Sequence, residues 1–168
     1  MKKNKVLILG AVAMLVFLLL PGSVFGSSIV MTAAELIASF EGFVDHPYWD
    51  VSRYSWGYGT QAPGATGTIS QSQALQELTE HSQVDYDYLR PMVTRPLNTN
   101  QWAALLSFAY QEGPGNADNL IDNINSGDDA ALFAQWRLYN KVRDENGVLQ
   151  YHAGTAARRE KELQVWSS

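Results

Sequence analysis

The chain has 168 residues, 46% apolar and 17% charged, a globular composition with room for one domain and a sizeable core. Twelve basic residues stand against 17 acidic ones, a net charge of -5; without Lys2, Lys3 and Lys5, nine would face 17, a balance of -8 that argues against nucleic acid as a partner. There is no cysteine, so disulfides, a thiolate nucleophile, thiol-exchange activation and cysteine-ligated zinc are excluded.

The amino terminus reads as a leader. Three lysines within Met1–Lys5 precede an apolar run of 15 residues, Val6–Leu20, which ends at Pro21-Gly22-Ser23. A spanning helix wants about 20 apolar residues, so the run is short for an anchor, and Val24-Phe25-Gly26 resembles a small-residue cleavage site. Cleavage after Gly26 is the first expectation; the rival is a retained signal-anchor with its positive end in the cytoplasm. In either case residues 1–26 meet the secretion machinery or the membrane. Residues 27–168 then form an exported domain on the cell-wall side, in the periplasm or outside the cell.

Thr32-Ala33-Ala34-Glu35 reads as a capping box that starts a short helix, with Leu36, Ile37 and Phe40 as its apolar stripe and Gly42 as its C-cap. This puts Glu41 at a helix end. From Pro47 to Thr60 the aromatic residues, Val51, Gly57 and Gly59 predict a small hairpin, and strand content is expected to end there. Ser70-Gln71-Ser72-Gln73 is a second capping box, opening a helix that runs to Pro91. Thr99 or Asn100 can cap the next, a buried core helix carrying Trp102, Leu105, Leu106, Ala109 and Tyr110. Gly113-Pro114-Gly115 breaks it, a short helix follows through Leu120 to Ile124, and Asp128 caps another with Leu132, Phe133, Trp136 and Tyr139. A turn at Asn146-Gly147 precedes a terminal helix holding Arg158, Arg159, Leu163 and Trp166.

Glu41 and Asp50 are the candidates for chemistry. Hydrolysis of a glycoside needs one carboxylic acid to protonate the leaving oxygen and a second carboxylate to guide water or face the oxocarbenium-like sugar. Glu41 follows Phe40 at the end of an apolar helix, where partial burial favours the protonated form; Asp50 lies among Tyr48, Trp49, Ser52 and Arg53, which favour the ionised one. Single carboxylates at helix ends and in turns are ordinarily solvated charges, so the surrounding pattern has to decide.

That pattern is Phe40-Glu41-Gly42-Phe43, then Tyr48-Trp49-Asp50, then Ser55-Trp56-Gly57-Tyr58-Gly59-Thr60, and it resembles the active-site segment of the T-even phage lysozymes, glycoside hydrolase family 24. Asn100 to Tyr110 with Gly113, Gly115 and Asn116 is similar to the family's core helix, and Arg158-Arg159-Glu160 to its last helix, so residues 32–166 are covered. The resemblance implies an α+β lysozyme-like fold, mostly helical, with a small antiparallel hairpin or sheet flanking the cleft. It also implies a muramidase acting on the β-1,4 bond between N-acetylmuramic acid and N-acetylglucosamine of peptidoglycan, as a monomer without cofactor. Glu41 would be the general acid and Asp50 the second carboxylate.

The family's water-positioning Thr is replaced here. Ser55 fits that place by alignment and Thr60 by residue type, with Ser55 favoured. Trp56 and Tyr58 offer flat faces for sugar, Gln111 an amide for sugar or backbone, and Arg158 a bidentate partner for muramic acid or peptide carboxylates. At least one of Arg158 and Arg159 is expected to be structural instead, stacking along the core or pairing with an acid. His46, His81 and His152 are too scattered for a metal site and read as surface or supporting residues. A lytic transglycosylase on the same fold, or a wall-binding protein without catalysis, are the alternatives to hydrolysis.

Overall fold

The computed structural model describes residues 21–168 apart from Val51, so the apolar run of the leader lies outside the described residues. The elements follow in the order α1 (Pro21–Phe40), β1 (Val44–Asp50), β2 (Arg53–Gly57), β3 (Thr60–Gln61), α2 (Gln71–Leu89), α3 (Thr99–Glu112), α4 (Pro114–Ser126), α5 (Asp129–Trp136), β4 (Lys141–Arg143), β5 (Leu149–Tyr151) and α6 (Ala153–Trp166). Strands β1, β2 and β3 form one antiparallel sheet, and β4 and β5 a separate hairpin. This is the mostly helical α+β architecture with a small sheet that the sequence implied. No helix among the described residues is long and apolar enough to cross a membrane.

Helix α3 organises the core. Trp102 through Ala109 are all buried, as a helix apolar on every side requires, and α1, α4 and α6 pack around it. Ile29, Ala33 and Ile37 repeat every four residues on α1, with Val30 and Ala34 beside them, and all five are buried. A second, smaller cluster joins the other side of α1 to the sheet and α2 through Ala34, Ile37, Tyr58, Ile69, Ala74 and Leu78.

Several local expectations change. Helix α1 already runs through Thr32, whose hydroxyl donates to the Ser28 carbonyl at 3.0 Å, so the Thr32–Glu35 box does not form. A Thr inside a helix can satisfy itself this way, which makes it a poor marker of the start. The helix does stop at Phe40, with the Glu41 amide donating to the Ile37 carbonyl, but Gly42 is not among the glycines with positive φ. The box at Ser70 and Gln73 forms as expected, whereas that of α3 lies one residue earlier, between Asn98 and Gln101, because Asn98 offers the carbonyl oxygen and Gln101 occupies the reciprocal position. Strand content does not end at residue 60. The Asn146-Gly147 turn belongs to β4–β5, whose residues are exposed on both faces and so carry no alternating pattern to be read.

Candidate active site

Glu41 and Asp50 enter one cleft from different elements. The end of α1 delivers Glu41, the last residue of β1 delivers Asp50, and both line a depression of about 690 Å³ between the three-stranded sheet and α2. Tyr48, Arg53, Tyr58 and Thr60 line the sheet side, and Glu77, Glu80, His81 and Val84 the helix side. Asp50 is exposed, and the Ser52 amide donates to its main-chain carbonyl, closing the β1–β2 turn.

Glu41 is partly buried, in keeping with its place after Phe40, and its partner is a charged group. Its side chain is 30% exposed, and its Oε1 accepts from Arg158 Nη1 at 2.5 Å. The Arg158 guanidinium also donates through Nε to Glu162 Oε1 at 3.1 Å and through Nη2 to the Ser107 carbonyl at 3.2 Å, and it stacks on the Phe40 ring at 4.7 Å. At 8% exposure Arg158 is largely buried against the core and Glu41, and it is not among the residues lining the main cleft. Arg159 is fully buried, donating to Gln111, Glu112 and Glu162; burial pulls its pKa below the usual guanidinium value, against the opposing charges of Glu162 and Glu112.

The two hydroxyl candidates differ in their partners. Tyr48 pairs with Ser55 and Asp50 with Arg53 across β1 and β2, so Ser55 shares the sheet face of the cleft-lining Tyr48, Asp50 and Arg53. Its side chain is fully buried, and its Oγ has no hydrogen-bond partner among the described residues. Thr60 reaches the cleft surface, but its hydroxyl donates to Glu77 Oε2 at 2.7 Å. Trp56 Nε1 donates to the same oxygen at 3.0 Å, and its ring packs against the smaller core cluster and is not among the residues lining the cleft.

Two glycines shape the sheet end. Gly57 has φ +59°, and a Cβ there would lie 2.8 Å from Ala74 Cβ on α2, so the sheet and helix approach this closely only because the side chain is missing. The turn continues with the Gly59 amide donating to the Trp56 carbonyl. Between them Tyr58 is buried at the cleft edge, its carbonyl accepting from Tyr110 Oη at 2.8 Å and its own hydroxyl from Gln71. Burial, reinforced by the nearby charge of Glu41, pushes the Tyr110 hydroxyl up to about 12, so it stays a neutral donor. Burial, then Asp50 and Glu41, raises Tyr48 likewise.

Gln111 lies apart from the main cleft. It borders a depression of about 300 Å³ with His152, Thr155 and Lys161, and Glu41 and Arg158 form the wall toward it, so Glu41 stands between two hollows. Of the three histidines, His81 is the one on the main cleft, its ring edge-on to Tyr110; His152 caps α6 and His46 is exposed. Glu77, Glu80 and Val84 take no part in the sequence reading of the site, and His81 is read there only as a surface or supporting residue, because their spacing on α2 is that of any solvated helix face. Among the described residues no three His, Asp or Glu side chains gather as a metal site.

The family model named phage lysozyme matches residues 38–162, which include every group of the cleft. The chain belongs to the phage lysozyme family. The endolysin of Bacillus phage PZA is 30% identical over 141 residues, covering 80% of this chain and 53% of its own. The chain thus spans about half the length of that curated relative. The muramidase domain of SpmX from Asticaccaulis excentricus shares the fold with a TM-score of 0.74 at 22% identity, covering 81% of this chain and 95% of the other. The endolysin from Escherichia coli O157:H7 phage FAHEc1 does so at 0.72 and 24%, covering 80% and 90%.

Proposed function

We propose that this phage lysozyme-family domain is a glycoside hydrolase that cuts peptidoglycan at the β-1,4 bond between N-acetylmuramic acid and N-acetylglucosamine. The observation that carries the reading is the convergence of Glu41 and Asp50 on one cleft, with Glu41 held by a buried arginine. Glu41 protonates the leaving oxygen, and Asp50, exposed and beside Arg53, acts as the second carboxylate. Ser55 positions the attacking water, its uncommitted hydroxyl lying on the same sheet face as Asp50, and this favours hydrolysis over water-free transglycosylation. Thr60 is a supporting residue, its proton engaged by Glu77. Residues 1–26 carry the domain to the wall side of the membrane, whether cleaved or kept as a tether.

A zymogram on purified cell walls tests the assignment. Wild-type protein clears the gel and Glu41→Gln, of equal size and fold, does not, because only the transferable proton is gone. Clearing by Glu41→Gln at the wild-type rate rules Glu41 out as the acid. Mass spectrometry of the digest reports reducing ends for hydrolysis, and anhydro products alone would replace it with transglycosylation.

A further inference from the structure

Glu162 is a fully buried carboxylate with more partners than any other acid of the described chain, and none of them is exposed to the cleft. Its Oε1 accepts from Ser107 Oγ at 2.8 Å, Arg159 Nη2 at 3.0 Å and Arg158 Nε at 3.1 Å, and its Oε2 from Trp136 Nε1 at 3.0 Å. Arg159 Nε lies 2.9 Å from Oε2, close enough for charge attraction though not aligned as a hydrogen bond. Burying one carboxylate costs several kcal/mol, and such a group is kept where its hydrogen bonds are filled and its charge is matched.

The arrangement does more than neutralise a charge. Arg158 presents Nε to Glu162 and Nη1 to Glu41, so one rigid planar guanidinium links the core acid to the cleft acid. Ser107 fixes the remaining edge, its carbonyl and hydroxyl both accepting from Nη2, while Phe40 covers one guanidinium face. A second arginine, Arg159, holds Glu162 from the other side and stacks on Phe108. Glu162 therefore sets where Arg158 can point. It also shares the charge of Arg158, which otherwise would fall wholly on Glu41, a group that must carry a proton to act as acid.

We infer that Glu162 is a positioning residue for the glycosidase reaction, orienting the proton donor Glu41 through Arg158. The inference rests on the assignment of Glu41 as the acid and extends it to a residue with no contact to substrate. Glu162→Gln keeps the size of the side chain and one of the two acceptor oxygens, the one facing Ser107 or the one facing Trp136, but withdraws the charge that holds Arg158.

The test is steady-state hydrolysis of soluble uncrosslinked peptidoglycan fragments by full-length wild type, Glu162→Gln, Arg158→Gln and the double variant, with circular dichroism and thermal melting on each. Misplaced catalytic groups cost on the order of 100-fold, so kcat for Glu162→Gln is expected to fall by about 10- to 100-fold with KM unchanged. In the Arg158→Gln background the same change has no further effect on kcat, because the path through Arg158 is already cut. A folded Glu162→Gln with wild-type kcat, or losses that multiply in the double variant, overturns the inference. Should Glu162→Gln not fold, Ser107→Ala decides: a several-fold fall in kcat at constant KM supports the linkage, and an unchanged kcat refutes it. Glu41→Gln run alongside separates the two levels, since activity in that variant sinks the acid assignment itself.

Discussion

Glu41 and Arg158, 117 residues apart in sequence, are joined by a charge-assisted hydrogen bond of 2.5 Å between Oε1 and Nη1. Arg158 is buried and Glu41 only partly so, which makes the pair a bridge from the core to the cleft. Removing the arginine leaves Glu162 with Arg159 as its one cation and strips Glu41 of its anchor. Breaking a buried ion pair from one side costs about 3–5 kcal/mol, and the surviving Arg159 contact places Arg158→Met at the lower end of that range. Urea denaturation of the purified domain measures it. A loss below about 1 kcal/mol, the range of exposed pairs, would mean that the bridge contributes no more than a surface contact.

Ser55 separates activity from stability. Its buried Oγ has no protein partner among the described residues, so Ser55→Ala removes an unpaired hydroxyl and leaves stability within about 1 kcal/mol of wild type, or slightly higher. Activity on cell walls falls further in Ser55→Ala than in Thr60→Ala, whose hydroxyl is held by Glu77. Thr60→Ala instead lowers the melting temperature, by about 2–4 °C for each kcal/mol of hydrogen bonding lost in a domain of this size. The opposite ranking in the lysis assay moves the water-positioning role to Thr60.

Much of the fold is legible in the sequence. The Ser70–Gln73 box, the buried Trp102–Ala109 stretch and the Asp128 cap follow from local chemistry that tertiary packing had no reason to override. Glu41 and Asp50 came from the family pattern, because neither has a distinctive local environment. Arg158 has two readings in sequence, a partner for a ligand carboxylate or a structural cation. A guanidinium near a glycan site suggests ligand binding, and only the packing of α6 on α3 shows that its partners are Glu41, Glu162 and Ser107. Glu162 was invisible for the same reason: in a run of Arg158, Arg159, Glu160, Lys161 and Glu162, nothing local distinguishes the exposed Glu160, paired with Arg137, from the buried Glu162. The β4–β5 hairpin was missed because it buries neither face.

Gly57 is a structural requirement of the cleft. Gly57→Ala forces φ +59° on an alanine and sets its Cβ 2.8 Å from that of Ala74, so β2 and α2 must separate. The expected loss is about 1–3 kcal/mol from strain and overpacking, with weakened activity because Thr60 and Glu77 sit on opposite sides of that seam. Ala74→Gly in the same chain relieves the collision but not the backbone strain, and recovers part of the stability. Full stability in Gly57→Ala alone contradicts the packing described.

Asp85 gives the domain a pH dependence of its own. It is buried on α2 behind the cleft, its Oδ2 3.6 Å from His81 Nε2 and otherwise without a partner among the described residues. Burial raises its pKa above the ordinary Asp value, with the His81 ring pulling the other way. The folded state therefore holds this proton more tightly than the unfolded chain does. Stability from this site is present in full below the unfolded-state Asp pKa and is lost as pH rises through that value toward the folded one. Asp85→Asn, which cannot ionise, should accordingly melt higher than wild type at neutral pH, and the advantage should shrink as the pH is brought down below about 4, the ordinary Asp value. Melting curves of both proteins across that range decide. An advantage that grows on acidification would show that Asp85 is held as a stabilising anion, with His81 rather than burial governing its charge.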